Sequence, residues 1–448
     1  MVTQPELKRI LKLKKLSNKK IQSISSPLRI VLFFLALSLL AGAITGNSFY
    51  YRLGYLWVLL ILTSWFMSFY TLRGIRVIRK SRTYRSQVGQ IFEERFEVFN
   101  TGKFLRLWIE IRDGSSLPGS HGSHVVTMIR GQEGHSYLSR TRLTKRGVFT
   151  LGPTVMVSGD LFGMFPNERS ITTENKLLVY PPMVGIQSFP NPAGLLPGGE
   201  ALRRMTHTVT SNAAGVREYE EGDPLNRIHW LSTARRNQLI VKEFELDPLA
   251  DVWIFLDADQ SVNVEQELPE QVIEPQEFWQ KRFVFQLPLS TIEYAVTICA
   301  SLARYYLEKR RAVGLVSASP HLRILPADRG GRQLGKILES LALANPTGSM
   351  PLVSLVELQA RHLPRGSTAI LVTSNPSEKI FQTADLMIRR GLKPIAILIN
   401  AASFGGGFSS VELGQTLQAL GVPIRVISYG DDLGAVMSNS TIPQFLNS

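Results

Sequence analysis

Cysteine is all but missing from this chain. Cys299 is the only one, so no intrachain disulfide can brace the fold, and a reducing compartment suits it. No phosphate loop of the Gly-x-x-x-x-Gly-Lys type is expected either, which argues against a P-loop nucleotide hydrolase. The Gly-x-Ser-x-Gly elbow that exposes a serine nucleophile is absent. The run Asp160-Leu161-Phe162-Gly163 has no Gly-rich loop or catalytic Asp–Asn pair with it, so it is not a kinase element. Histidine is scarce, and His121, His124 and His135 lack a second Cys/His cluster. They read as solvated histidines of turn regions, not zinc ligands. Excess charge is missing over most of the chain: residues 86–448 hold 35 basic and 35 acidic side chains. The formal +14 is therefore no sign of nucleic-acid binding.

All of that excess lies in residues 1–85, where 15 Lys and Arg face one acid, Glu6. It flanks two apolar runs, Leu28 to Thr45 and Leu53 to Leu72. Each is near the roughly 20 residues that cross a ~30 Å hydrocarbon core. The short segment between them makes a helical hairpin over 28–72. The second run carries Trp57, Trp65 and Tyr70, residues that favour membrane interfaces. Eight basic residues lie before or at the leading edge of the first run (Arg29 being at the edge), Arg52 alone lies between the runs, and six follow the second. By the positive-inside rule this predicts a multi-pass protein of the cytoplasmic (inner) membrane with both termini in the cytoplasm. The first run is not read as a cleaved signal peptide, because a second span follows at once. In the basic leader, residues 1–27, Ile10, Leu11, Leu13 and Leu16 are interleaved with lysines. Either an amphipathic helix on anionic lipid or a disordered orientation signal fits that pattern.

The soluble part predicts two folds. Residues 84–180 alternate β-branched, aromatic and polar residues in short runs such as Glu94 to Asn100 and Arg106 to Ile111, with Gly-rich turns between them. Strands at that spacing predict a small all-β sandwich. Residues 181–214 are rich in Pro and Gly and read as a linker or extended strap. From 246 to 448, fully apolar strands such as Val252 to Leu256 alternate with amphipathic helices such as Thr291 to Lys309. That pattern predicts a mainly parallel sheet covered on both faces, the Rossmann-like class. Val262 to Lys281 is acidic and contains proline, and reads as a mobile insertion. Cys299 falls in a predicted buried helix, as an inert small hydrophobe.

Between the two folds, residues 215–245 form the densest cluster of charged, aromatic and turn-forming residues. Gly222-Asp223-Pro224 reads as a helix start, with Asp223 capping and Pro224 at the first helical position. Leu225, Ile228, Leu231 and Ser232 then fall at helical spacing, Asn237-Gln238 closes the helix, and Leu239 to Phe244 alternates as a half-buried strand. Arg217, Tyr219, Gly222, Asp223, Ile228, Trp230, Ala234, Arg235, Leu239 and Glu243 resemble the signature of the bacterial "domain of unknown function 58" family. RGVFTLGP, DLFGMF and LLVYPP upstream agree with it. The resemblance implies a von Willebrand factor A-like C-terminal domain, a membrane setting, and a MoxR-type AAA+ ATPase as partner. It implies no established reaction.

In such a domain, ligands meet the sheet where strand order reverses. The likeness implies a metal-ion-dependent adhesion site there. Asp257, Asp259 and Ser261, at alternating positions after the first strand, could offer oxygens to Mg²⁺. The set is degenerate: Asp259 replaces a Ser, the second-loop Thr is lost near Gly331-Arg332, and the third-loop acid becomes Ser374. The site is expected to hold no metal, with Asp257 paired to Arg332 or capping a helix. His229 with Asp223 or Ser232 is the one conceivable hydrolytic set, but a six-residue spacing does not bring Asp223 to His229. The expectation is a membrane-anchored cytoplasmic scaffold, not an enzyme and without a cofactor. Its contacts with a partner or between domains would run through Arg217, Tyr219, Asp223, His229, Trp230, Arg235 and Arg236. Trp230 and Ile228 are expected as buried anchors. A metal-dependent or hydrolytic membrane enzyme is the alternative.

Overall fold

The computed structural model describes residues 26–172, 175–190, 213–220, 228–244, 251–266 and 286–438. They fall into an N-terminal unit ending at Val179 and a C-terminal unit starting at Tyr180. The leader, residues 1–25, lies outside the described residues, and so does its expected amphipathic helix.

The first described elements of the N-terminal unit are two helices, α1 (Ser26–Thr45) and α2 (Ser48–Thr71). Both are long and apolar enough to cross a membrane. The turn between them needs Gly46, at φ +68°, and Asn47, whose side chain accepts the Phe49 amide at 3.0 Å. Small residues let the helices approach: a Cβ on Gly54 would stand 3.3 Å from Leu39, and one on Gly42 3.1 Å from the Tyr51 ring.

A β-rich region follows without a linker. Leu72 ends α2 and is already buried in a core with Ile75, Phe96, Ile109 and Met156. The ten strands are β1 (Ile75–Ser81), β2 (Arg85–Gln87), β3 (Ile91–Asn100), β4 (Arg106–Asp113), β5 (His124–Ile129), β6 (Gly134–Arg142), β7 (Gly147–Leu151), β8 (Thr154–Ser158), β9 (Asn167–Ile171) and β10 (Asn175–Tyr180). They form three sheets, ordered β1-β3-β6, β2-β10-β7 and β5-β4-β8-β9. The first and third share one core, supplied by Phe96 and Val98 from one side and Ile109, Ile111 and Val126 from the other. The region starts at Ile75, not at residue 84. Strand β1 reads IRVIRKS, and its basic residues resemble a membrane flank. One of them, Arg79, is buried and grips Glu94 and Asp113 at 2.7 and 2.8 Å. The histidines are exposed as expected, but His124 opens β5 and His135 lies in β6, so neither belongs to a turn.

The C-terminal unit begins with the expected linker, whose first part is a strap. Phe189 is buried, its amide donates to the Tyr305 hydroxyl at 3.1 Å, and Tyr306 donates to the Pro190 carbonyl at 3.1 Å. Next come β11 (Ala213–Glu218), α3 (Trp230–Arg236) and β12 (Ile240–Phe244). An α/β layer structure completes the unit: β13 (Val252–Leu256), α4 (Thr291–Glu308), β14 (Val313–Ala318), β15 (Leu322–Asp328), α5 (Gln333–Ala342), α6 (Leu352–Gln359), β16 (Thr368–Thr373), α7 (Lys379–Arg389), β17 (Lys393–Ile399), α8 (Val411–Ala419), β18 (Ile424–Ile427) and α9 (Leu433–Ser438). Its six strands are ordered β15-β14-β13-β16-β17-β18, parallel except for β15 at the edge. Alternate side chains serve opposite faces. Val252, Ile254 and Leu256 join the core under α4 and α5, while Trp253 and Phe255 join the core under α6, α7 and α8. Burial on both faces explains the unbroken apolar runs. Cys299 lies in α4, fully buried, and burial pushes its thiol pKa up. The start of the expected mobile insertion is instead tied down: the Val264 amide donates to Thr291 at 2.9 Å. The rest of that insertion, from residue 267, lies outside the described residues.

Candidate functional site

Strand order reverses between β13 and β16, and both strands end there in polar loops. Asp257 follows β13 and is 1% exposed. Its Oδ2 accepts the Thr373 hydroxyl at 2.6 Å and its Oδ1 accepts the Asp259 amide at 3.2 Å. Burial outweighs these two bonds and the nearby Asp259 charge adds to it, so the Asp257 pKa is raised to about 6. Asp259 is half-buried and accepts the Ser261 amide at 3.0 Å. Asn263 clamps the loop by donating to the carbonyls of Asp257 and Asp259 at 3.3 and 2.9 Å, and Thr291 donates to Asn263 at 2.9 Å. Ser374 donates to the Val262 carbonyl at 2.7 Å.

Arg332 is not the partner of Asp257. Strand β15 is antiparallel, so its Asp328 end lies beside Val313, at the start of β14. Gly331 and Arg332 therefore leave from the sheet edge opposite Asp257, about a strand's length away, ~15 Å at roughly 3.3 Å per residue. Nor does Asp257 cap a helix. The second loop at the switch point is 344–350, brought there by α5. The Gly348 amide donates to the Ala258 carbonyl at 3.0 Å, and the Gln260 amide donates back to Gly348 at 3.0 Å. Only glycine fits, because a Cβ would run into the carbonyls of Ala318 and Ala258. Asp257, Asp259 and Ser261 do share one loop. As arranged, each Asp257 oxygen accepts one protein donor, Thr373 or the Asp259 amide. Among the described residues, no group of three His, Cys, Asp or Glu could hold a metal.

Contrary to expectation, Gly330 to Lys336 does spell Gly-x-x-x-x-Gly-Lys, but Ile337 takes the place of the required Ser or Thr. It also follows an antiparallel edge strand, whereas that motif needs a parallel strand feeding a helix.

The signature cluster is built differently. Strand β12 is central: β11 pairs with one edge, and Ile228 bridges to Val241 on the other. Ile228, Ile240 and Val241 are buried, which makes Ile228 the expected anchor, but in a bridge and not a helix. Helix α3 starts only at Trp230. His229 caps it: its Nδ1 accepts the Ser232 amide at 3.2 Å and lies 2.7 Å from the Ser232 hydroxyl. Asn237 ends it in the left-handed conformation at φ +53°, as the sequence predicts. Two bonds lock α3 to β12, from the His229 amide to the Ile240 carbonyl at 2.7 Å and from the Ile240 amide to Thr233 at 3.1 Å. Trp230 is not a buried anchor. It is 67% exposed and Leu231 63%, because this seven-residue helix, held to β12 through His229 and Thr233, buries none of its side chains; Leu239, just after it, is 45% exposed. Arg235 and Arg236 occupy its last turn and are exposed. Tyr219 is half-buried, its amide donating to Leu239 at 2.9 Å, and Arg217 is placed by its backbone opposite Val241. Asp223 and its expected helix start lie outside the described residues.

Fold and sites define a chain with two apolar helices, a β-rich region and a largely parallel α/β sheet. The central segment, residues 215–271, matches the family described as "Protein of unknown function DUF58", in agreement with the resemblance of the signature. The uncharacterized protein YeaD of Bacillus subtilis (strain 168) is 22% identical over 230 residues, which cover 51% of this chain and 51% of YeaD. The chain thus spans about half the length of the curated relative it matches. Solved structures align only loosely. A CARDB domain from Pyrococcus furiosus in complex with di-metal ions is 14% identical, covering 23% of this chain and 91% of that chain, with a TM-score of 0.18. A GH20 exo-β-N-acetylglucosaminidase from Vibrio harveyi is 9% identical, covering 73% and 57%, with a TM-score of 0.16. Neither likeness carries an argument about this chain.

Proposed function

We propose that the chain is a membrane-anchored cytoplasmic scaffold whose signature segment docks a MoxR-type AAA+ ATPase during assembly or maturation of other proteins. The observation that carries this reading is the exposure of Trp230 and Leu231, beside Arg235 and Arg236, on a helix held to β12 through His229 and Thr233, with Leu239 exposed just after it. An apolar and cationic surface held in place loses little entropy on binding, and Trp and Arg are the residues that anchor interfaces. The AAA+ partner rests on the family resemblance. In this reading α1 and α2 form an inner-membrane hairpin with both termini cytoplasmic, supported by the count of basic residues around them. The β-rich region is a small sandwich. The C-terminal domain is von Willebrand factor A-like, supported by its strand order, its antiparallel edge and the Asp257 loop at the switch point.

The His229–Ser232 contact favours a hydrolytic enzyme as the second reading. Against it, Nδ1 already accepts a backbone amide, so the ring serves the helix end and not a nucleophile. The test is recovery of the AAA+ ATPase from detergent-solubilised membranes, with and without nucleotide, and a reporter fused after Ser448. Nucleotide-sensitive recovery and a cytoplasmic reporter are expected. No recovery, or an external reporter, overturns the corresponding half of the proposal.

A further inference from the structure

Two loops of the N-terminal unit are bonded to the foot of α2. Ser68 donates from its hydroxyl to the Phe165 carbonyl at 2.7 Å, and the Asn167 side chain donates to the Ser68 carbonyl at 3.1 Å. Thr101 donates to the Gly74 carbonyl from its amide at 2.8 Å and its hydroxyl at 2.7 Å, and Arg106 donates to the Arg73 carbonyl at 2.8 Å. At 1.5 Å per residue, Ser68 lies about 5 Å inside the helix end. A bilayer crossed by α2 must reach both loops.

The loop Asp160 to Phe165 is organised from within. Asp160 is 2% exposed, and its carboxylate accepts the amides of Phe162, Met164 and Phe165 at 3.0, 3.2 and 2.7 Å. Gly163 turns the chain at φ +67°. The charge thus points inward and the bulky apolar side chains outward, with Leu161 62% and Phe162 54% exposed. The loop Thr101 to Arg106 likewise exposes Phe104 and Leu105 beside Lys103. Single exposed apolar residues need no explanation, but a cluster on two loops at one helix end does. Trp65 and Phe69 are exposed on the last turns of α2, and Arg73 stacks over the Phe69 ring at 3.8 Å. Aromatic and aliphatic side chains mixed with cations are what a bilayer interface accepts.

We propose that loops 101–106 and 160–165 form a collar seated in the headgroup layer, with Phe104, Leu161 and Phe162 embedded and Lys103 and Arg73 against lipid phosphates. Asp160 is a positioning residue that holds the second loop in shape. The proposal rests on α1 and α2 being a membrane hairpin. It makes the β-rich region a rigid foot on the membrane, since Leu72 enters its core with no linker between.

Cys299 is fully buried, so cysteines introduced by Leu161→Cys or Phe162→Cys can be labelled selectively, with the unmodified protein as blank. Tyr55→Cys in α2 and Thr83→Cys, exposed past the end of β1 that lies away from α2, serve as references. The full chain is placed in vesicles of phosphatidylethanolamine and phosphatidylglycerol, part of the lipid brominated near the headgroup. The labels at 161 and 162 are expected to lose emission as the label at 55 does, while the label at 83 keeps its emission. If 161 and 162 behave like 83 while 55 is quenched, the hairpin stands and the collar is refuted, leaving those loops open to a protein partner. If 55 is also unquenched, the hairpin reading itself fails and takes the collar with it.

Discussion

The loop after β13 and the DUF58 signature are comparably rich in polar and charged residues, yet the chain uses them in opposite directions. Asp257, Asp259 and Asn263 turn their hydrogen-bonding atoms onto the loop's own backbone and onto Thr373. Among the described residues of the signature the buried side chains are the apolar Ile228, Ile240 and Val241, while Trp230, Arg235 and Arg236 stand in solvent. A charged cluster in a sequence therefore marks a place where chemistry is concentrated without saying which way it faces. The backbone decides. A loop leaving a buried parallel strand must satisfy its own polar groups, whereas a seven-residue helix held by two bonds to the neighbouring strand is free to present side chains.

Inward use reaches its extreme in the N-terminal unit. Arg79 and its partners Glu94 and Asp113 have side chains only 1–2% exposed. Arg79→Ala leaves two buried carboxylates unpaired and is expected to cost about 3–5 kcal/mol, read as a lower urea midpoint. A loss no larger than that of a surface substitution would break the contrast between inward and outward charge.

Asp257 sharpens it. Because its folded pKa is raised above the unfolded value, the neutral acid is the form the fold prefers. Its contribution is fully present below about pH 4 and is lost as pH rises through about 6. Asp257→Asn should flatten melting across that window and raise it at neutral pH by roughly 2–4 kcal/mol, at about 1.4 kcal/mol per pKa unit. A variant whose melting falls at neutral pH would instead mark an ionised Asp257 held by a partner.

For the outward region the expected effects are small. Trp230→Ala should change stability by no more than about 0.5 kcal/mol, as exposed substitutions do. A cost near 3 kcal/mol, that of a buried aromatic, would restore Trp230 as an anchor. Millimolar Mg²⁺ should leave melting where it is, although a site at 100 times its dissociation constant would add about 2.7 kcal/mol. A Mg²⁺-dependent rise abolished by Asp257→Ala would make the loop a ligand site after all.

Much of the fold was legible where period and burial coincide. Unbroken apolar strands such as Val252–Leu256 and Thr368–Thr373 announced a sheet covered on both faces, and the two apolar helices announced themselves by length. Strand β1 was hidden because Arg79 neutralises buried acids that lie 15 and 34 residues further on. The true second loop, 344–350, was missed because the antiparallel turn of β15 carries Gly331 and Arg332 to the wrong edge, which no local pattern encodes. Thr373 stood beside the expected third-loop position, but a hydroxyl at a strand end gives no sign of the carboxylate that it serves. The helix over the signature looked longer than α3 because Ile228 keeps helical spacing while bridging to Val241.

The central claim, that the signature is a contact surface and not a seam, is tested most directly by measuring melting and AAA+ ATPase recovery together in Trp230→Ala and Arg235→Ala. The account predicts wild-type melting and lost recovery in at least one of the two. Wild-type melting with wild-type recovery in both variants would contradict it.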